Sequence, residues 1–480
     1  MKKTLSIALI FIIVFSAFQM FLIQSSGLET EYQHRRTIIV DNSGNPETLT
    51  NYQVLLNVTY DSDMQADFDD LRFTWYDEAS GEDVDIDYWL DKYVDSEYAL
   101  VWVEVPEIRG SGEEVLYMYY GDPDAVSESN GEETFVFFDG FSTDTTANYH
   151  LWSPYYLTGN PNELSWNPSG WLFVNASIRE CYGRNSNVHV HHKTAVMDPS
   201  EDQYWLETRC KAFGDGWLDY LGVSNTYKRD STPQNLYFRL ARVDQGIRDQ
   251  YPMNFSGLSV WWGGVECSAT SPLPTPVIDQ WFRIGLGTAS NGTVIGSFHD
   301  DNYGELATLV CHTIHQDVKW WVDLIISRIL TDTWATMHAY FDYVRVRKFT
   351  DPEPSYIILL PATVDVDPDT LNLKSNGQWI TAYIELPEGY CVSEIDVSSI
   401  LLNGSISVDA EAPTEVGDYD IDSVPDLMVK FERAAVTALL GTYDYGEETG
   451  RSVDVALVIA GEVSRTPFEG IDTIRVLLKG

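Results

Sequence analysis

The chain has 480 residues, and 44% of them are hydrophobic, enough for several buried cores and too many for a disordered tail. Its 73 acidic residues against 30 basic ones give a net charge of −43, which repels phosphate and argues against nucleic-acid binding. Charge spread along the chain in this way suits high ionic strength or a polyvalent cation partner.

At the N-terminus, Lys2 and Lys3 precede an apolar run from Leu5 to Ile23, which small and polar residues close at 24–27. Residues 1–27 therefore read as a secretory signal or, if uncleaved, as an N-terminal membrane anchor. Either reading places the remainder outside the cell or on its surface. Five glycosylation triplets agree with export, at Asn57, Asn175, Asn254, Asn291 and Asn403. Four of the five cysteines, Cys181, Cys210, Cys267 and Cys311, fall in the middle third and could form two bridges or remain buried thiols. Cys391 stands apart.

From residue 28 onward the pattern is that of strands. Apolar and polar residues alternate at 99–105, 115–120, 343–348, 379–386 and 427–432, with turn clusters such as 41–44, 109–112 and 375–377 between the runs. Helical periodicity is confined to a short stretch at 433–440. The expected fold class is all-β, with three consecutive β-sandwich modules after the signal or anchor segment. Turn chemistry sets the boundaries at 28–135, 136–350, a Pro-containing linker at 351–360, and 361–480. Charge divides unevenly: residues 28–137 hold 27 acids and 5 bases, while 138–360 hold 24 acids and 16 bases. The less charged middle also carries 11 of the 15 tryptophans, so it is compositionally a different module.

The first module is similar to a β-domain of unassigned function found in exported archaeal and bacterial surface proteins. The matching residues include Arg36-Thr-Ile-Ile-Val-Asp-Asn-Ser-Gly44, Asp70-Leu-Arg-Phe73, Val101-Trp-Val-Glu-Val-Pro106 and Tyr117-Met-Tyr-Tyr-Gly-Asp-Pro123. Phe137-Phe-Asp-Gly-Phe141 and Phe341-Asp-Tyr-Val-Arg-Val-Arg347 resemble the first and last strands of a concanavalin A-like lectin/glucanase sandwich. Residues 361–480 resemble an exported, immunoglobulin-like β-sandwich, on Val364-Asp-Val-Asp-Pro-Asp369, the 379–387 strand and Asp418-Tyr-Asp-Ile-Asp422. These resemblances imply architecture, and none of them implies a reaction.

The sharpest chemical candidate is the acidic loop. Asp418, Asp420 and Asp422 alternate, and Asp426 follows; hard carboxylate oxygens at this spacing can converge on Ca²⁺ when the loop curls. Ser423 and Val429 stand where an EF-hand needs Gly and Glu, so the loop is not an EF-hand. Ile421 and Ser423 replace the glycines that would ease curling; the plainer reading is a solvated acidic turn. Asp365, Asp367 and Asp369 share the spacing but read as an extended strand edge. His189, His191 and His192, with His312 and His315, could begin a zinc or copper site or be ordinary groove residues.

Trp261, Trp262, Trp320 and Trp321 are candidate ligand-binding residues. Flat aromatic faces stack on sugar rings, and adjacent strand residues face opposite ways, so one of each pair can be exposed. The E-x-D-x-x-E strand of laminarinase-type relatives is absent, leaving Glu201, Asp202, Glu207, Glu163, Glu180 and Glu266 as unpatterned carboxylates. The expected role is non-catalytic: carbohydrate binding or adhesion at the cell surface through the middle module, with flanking spacers stiffened by calcium. The expected partner is a glycan or other surface polymer, with self-association possible. The alternatives are a structural subunit of an envelope or extracellular assembly, and a glycoside hydrolase.

Overall fold

A computed structural model describes residues 32–77, 80–152, 163–178, 186–194, 202–214, 218–224, 236–240, 258–262, 265–269, 280–288, 293–311, 322–328, 335–387, 389–443 and 452–478. Among them the fold is all-β, built from mainly antiparallel sheets with two short α-helices, Gly131–Thr134 and Arg433–Leu440. The second is the helix predicted at 433–440. No helix among the described residues is long and apolar enough to cross a membrane. The predicted signal or anchor at 1–27 lies outside the described residues.

The chain divides into two compact units. One comprises Met1–Thr50, Val54–Ser129 and Pro354–Gly480; the other comprises Asn51–Gln53 and Asn130–Glu353. The first unit thus holds the predicted first and third modules together. Its N-terminal part has a five-stranded sheet in the order Ser355–Ile358, His34–Asp41, Glu113–Tyr120, Arg72–Asp77, Glu82–Asp85. The stretch expected as a linker therefore contributes a strand, with Ile38 opposite Ile358 and Val40 opposite Tyr356. Apolar residues at 356–358 explain this, since a solvated linker would leave them exposed.

The C-terminal part of that unit has a six-stranded and a four-stranded sheet. Strict alternation places Ile380, Ala382 and Ile384 of Trp379–Glu385 inward, where they pack with Val366, Leu427, Val429 and Phe431. Each of these side chains larger than alanine contributes about 1.5–3 kcal/mol by its burial.

The second unit has an eight-stranded and a seven-stranded sheet. In the larger sheet, Leu206, Cys210, Ile284, Leu286, Val344 and Val346 are fully buried along one face. Cys210 is a free thiol, so the two-bridge pairing of the middle cysteines is not formed. Cys391 is also free, and exposed.

Candidate functional site

The acidic loop of 418–426 curls, and it does so without glycine. Ile421 (φ 69°) and Ser423 (φ 79°) take the left-handed conformation, which is unusual for a β-branched side chain. Short backbone bonds hold the turn: Tyr419 N–H donates to Asp426 Oδ2 at 2.7 Å and Val424 N–H to Asp422 Oδ1 at 2.7 Å. Two carboxylate trios result, Asp418–Asp420–Asp422 and Glu385–Asp420–Asp426, with ligand oxygens inside each trio within 4.8 Å of one another. Asp420 is common to both.

Glu385 has no part in the sequence motif. It ends the strand Trp379–Glu385, whose register sets Ile384 opposite Leu427 and so brings Glu385 beside Asp426. Asp426 is buried at 3% exposure. Burial first, then the charges of Asp426, Asp422 and Asp420, push the Glu385 carboxyl up to about 7. An all-carboxylate donor set of this density fits a hard divalent cation such as Ca²⁺. Asp365 and Asp367 lie exposed on the strand Thr363–Asp367, as expected of a strand edge.

A second constellation lies on the eight-stranded sheet of the middle module, on the face opposite its apolar core. Trp171 and Phe173 come from the strand Trp171–Ile178, His338 and Tyr340 from Ala335–Lys348, and Arg209 and Lys211 from Tyr204–Gly214. Trp281 precedes the strand Phe282–Thr288. All seven are half-buried. Trp171 meets Trp281 at 5.8 Å and Tyr340 at 5.7 Å, and Phe173 meets Tyr340 at 5.1 Å and stacks on His338 at 5.4 Å.

Lys211 Nζ stands 5.0 Å from the Trp281 centroid, 5.2 Å from Trp171 and 5.5 Å from Tyr340. A β-bulge makes this patch. Register shifts between Arg209 and Cys210, so Asp342 is extra, and Tyr340 and Tyr343 fall on the same face despite odd spacing. Asp342 then holds Arg209 Nη1 at 2.7 Å, while Asp301 holds its Nε at 2.6 Å.

Further along the same face the surface closes over a buried ion pair. Arg345 Nη2 lies 2.6 Å from Glu207 Oε1, which also accepts from Tyr343 Oη at 3.1 Å. Burial alone would raise the Glu207 carboxyl; Arg345 and Arg283 outweigh it and hold the group below the usual range. This carboxylate is sealed and ionised, a structural anchor. Asp202 is tied to Lys348 at 2.7 Å, and Glu163 is exposed on the strand Glu163–Asn167. Glu180 and Glu201 lie outside the described residues, as does the Glu266 side chain.

Of the predicted tryptophans, Trp320 and Trp321 lie outside the described residues, as do His312, His315, Asn254 and Asn291. Trp261 and Trp262 end the strand Leu258–Trp262; their side chains, and those of Asn175 and His189, lie outside what the structure describes. By Cα register Trp261 aligns with Glu266 and Tyr237, and the row continues through Ser224, Asp323, His191 and His150. His191 Nδ1 sits 3.0 Å from Asp323 Oδ1, both buried. His192 packs between Phe137 and Tyr149. Asn57 is exposed. The Asn403 amide is engaged at both ends, donating to Tyr443 Oη at 3.0 Å and accepting from Val458 N–H at 2.7 Å.

The sequence did not single out the platform residues Trp171, Phe173, Lys211, Trp281 and Tyr340. Trp171 and Phe173 share a strand, but Lys211, Trp281 and Tyr340 come from distant parts of the chain, and the only local signal was the high tryptophan content of the middle module.

Residues 67–155 match a domain of unknown function, DUF2341. No curated protein matches the chain. Among solved structures, the chain is similar over 45% of its length to 99% of one described with the endo-acting O-glycanases of the human gut microbiota, at 12% identity and a TM-score of 0.31. It is similar over 44% of its length to 98% of peanut lectin crystallised with a 9mer peptide, at 7% identity and a TM-score of 0.29. Lectin II from Ulex europaeus is similar over the same 44% and over 97% of its own length, at 8% identity and a TM-score of 0.29.

Proposed function

We propose that this chain is an exported surface protein whose middle module binds polysaccharide on the aromatic platform around Trp171, Trp281 and Tyr340. The carrying observation is that three large rings, none fully buried, share one sheet face with each other and with Phe173. Apolar rings left half open to water in contact with one another supply the flat surface on which sugar C–H faces stack. The basic start and apolar run of residues 1–27 support export. The acidic loop would hold Ca²⁺ through Asp418, Asp420, Asp422, Asp426 and Glu385, fixing the left-handed turn at Ile421 and Ser423.

The test is a glycan array probed with purified protein, with and without chelator. Wild type should bind a polysaccharide, and Trp281→Ala and Tyr340→Ala should each weaken that binding by about tenfold while the protein stays folded, with its wild-type circular dichroism, at the assay temperature. Binding to no glycan under either condition sinks the proposal.

A further inference from the structure

We infer that the exported chain carries an N-linked oligosaccharide on Asn57 and none on Asn403; this rests on the reading that the chain is exported. Both residues open an Asn-x-Ser/Thr triplet, Asn57-Val-Thr59 and Asn403-Gly-Ser405, so the sequence ranks them equally. The fold separates them. On the strand Leu49–Thr59, alternation turns Val54, Leu56 and Val58 into the core at 5%, 0% and 0% exposure. Asn57 and Thr59 therefore point outward, and both are exposed. The Asn57 backbone N–H donates to Tyr356 Oη at 2.7 Å, while its carboxamide takes no hydrogen bond among the described residues. The strand also stands at the end of its three-stranded sheet, beside Tyr98–Ile108, so a modifying enzyme can approach from the edge.

Asn403 sits in a tight turn between Leu401–Leu402 and Ile406–Ser407, with a left-handed φ of 43°. Its backbone N–H donates to Val458 O at 2.8 Å, its side-chain oxygen accepts from Val458 N–H at 2.7 Å, and Nδ2 donates to Tyr443 Oη at 3.0 Å. The side chain thus continues the pairing with the strand Ser452–Val463 where the turn interrupts it. Glycosylation of this nitrogen requires the carboxamide to leave both partners, and that strands the N–H of Val458, which is 1% exposed. Asn57 has no such tie. Its Nδ2 can attack C1 of the first sugar of a polyprenyl-diphosphate-linked oligosaccharide. The N–C1 bond forms as the C1–O bond to the diphosphate breaks; the diphosphate leaves with the bonding pair, and the nitrogen releases one proton. A bulky hydrophilic substituent at this outward position enters solvent rather than packed protein.

The experiment recovers the full chain from its source cells, inside and outside, and maps its peptides by mass spectrometry for wild type, Asn57→Gln and Thr59→Val. The second variant keeps Asn57 and the shape of the strand but removes the hydroxyl that completes the triplet. In exported wild type the peptide holding Asn57 should carry the added mass of sugar residues, and the peptide holding Asn403 should have its unmodified mass. Both variants should lose the added mass while keeping the wild-type circular dichroism, because neither side chain is packed. Asn403→Gln should lower the melting temperature without removing any glycan. Unmodified Asn57 in exported protein, a glycan that survives Thr59→Val, or a glycan on Asn403 overturns the inference and leaves export standing. Recovery of the chain from the cell interior alone overturns the export reading as well.

Discussion

Thr37 and Glu469, 432 residues apart, meet in one hydrogen bond: Thr37 Oγ1 donates to Glu469 Oε1 at 2.8 Å. Thr37 belongs to the strand His34–Asp41, and Glu469 to Thr466–Leu477, so the bond ties the opening strand of the unit to its last. Burial raises the Glu469 carboxyl, and the Arg35 guanidinium and Thr37 hydroxyl oppose that rise. Glu469→Ala removes an acceptor and a charge facing Arg35, and should lower stability by about 1–3 kcal/mol. Glu469→Gln keeps an acceptor for Thr37 and should lose less. Urea unfolding of both variants is the measurement; equal loss would show that charge, and not the bond, matters here.

The strands were legible because burial enforces alternation residue by residue, as at 379–385, where Ile380, Ala382 and Ile384 face inward. The acidic loop was legible from spacing alone, yet Glu385 was not: only the pairing of Ile384 with Leu427 brings it to Asp426. The platform was less legible still. Trp171, Lys211 and Tyr340 become neighbours through cross-strand register, and Tyr340 joins them because a bulge at Asp342 shifts the face by one residue. Pro352 and Pro354 suggested a linker over 351–360, whereas 355–358 pair with the first sheet along the edge that the strand His34–Asp41 offers.

Gly285 and Gly287 make room for a single ring. A Cβ on Gly285 would stand 2.3 Å from Cζ2 of Trp205, and one on Gly287 would stand 2.3 Å from its Cε3. Gly285→Ala therefore has to displace Trp205, which donates from Nε1 to Glu207 at 3.3 Å. The expected loss is about 1–3 kcal/mol, with a change in tryptophan emission as the indole leaves its site. An unchanged melting temperature and spectrum would contradict this packing.

Glu207 is the counter-charge of a buried guanidinium, and its removal strands that charge. Arg345 is 0% exposed and Glu207 2% exposed. Glu207→Ala should cost about 3–5 kcal/mol, more than truncation of any exposed carboxylate in the molecule. The Glu207 pKa is depressed in the folded state, so its stabilisation is present above the ordinary carboxylate range and is lost as pH falls through the folded value. Wild type should accordingly lose stability on acidification, and Glu207→Ala should show a shallower acid limb in melting temperature against pH.

Glu385 has the opposite sign, and calcium should reverse it. Its carboxyl is raised to about 7 by burial and by the charges of Asp426, Asp422 and Asp420, with Asp426 also hydrogen-bonded to it. A folded pKa above the unfolded one means that the protonated form stabilises. That contribution is full below the ordinary glutamate range and declines as pH rises toward 7. Without divalent cation, raising the pH across this window should therefore lower the melting temperature, and Glu385→Gln should remove that slope. A cation bound by these carboxylates favours the ionised form, so Ca²⁺ should raise the melting temperature more at pH 8 than at pH 5 and should release protons on binding near pH 6. Asp420 belongs to both trios, so Asp420→Asn should weaken the calcium response more than Asp418→Asn does. Calorimetry with and without millimolar Ca²⁺ at the two pH values separates the two effects. A melting temperature indifferent to Ca²⁺ at pH 8 would remove calcium from the loop, and the pH slope would then stand alone as repulsion among the carboxylates.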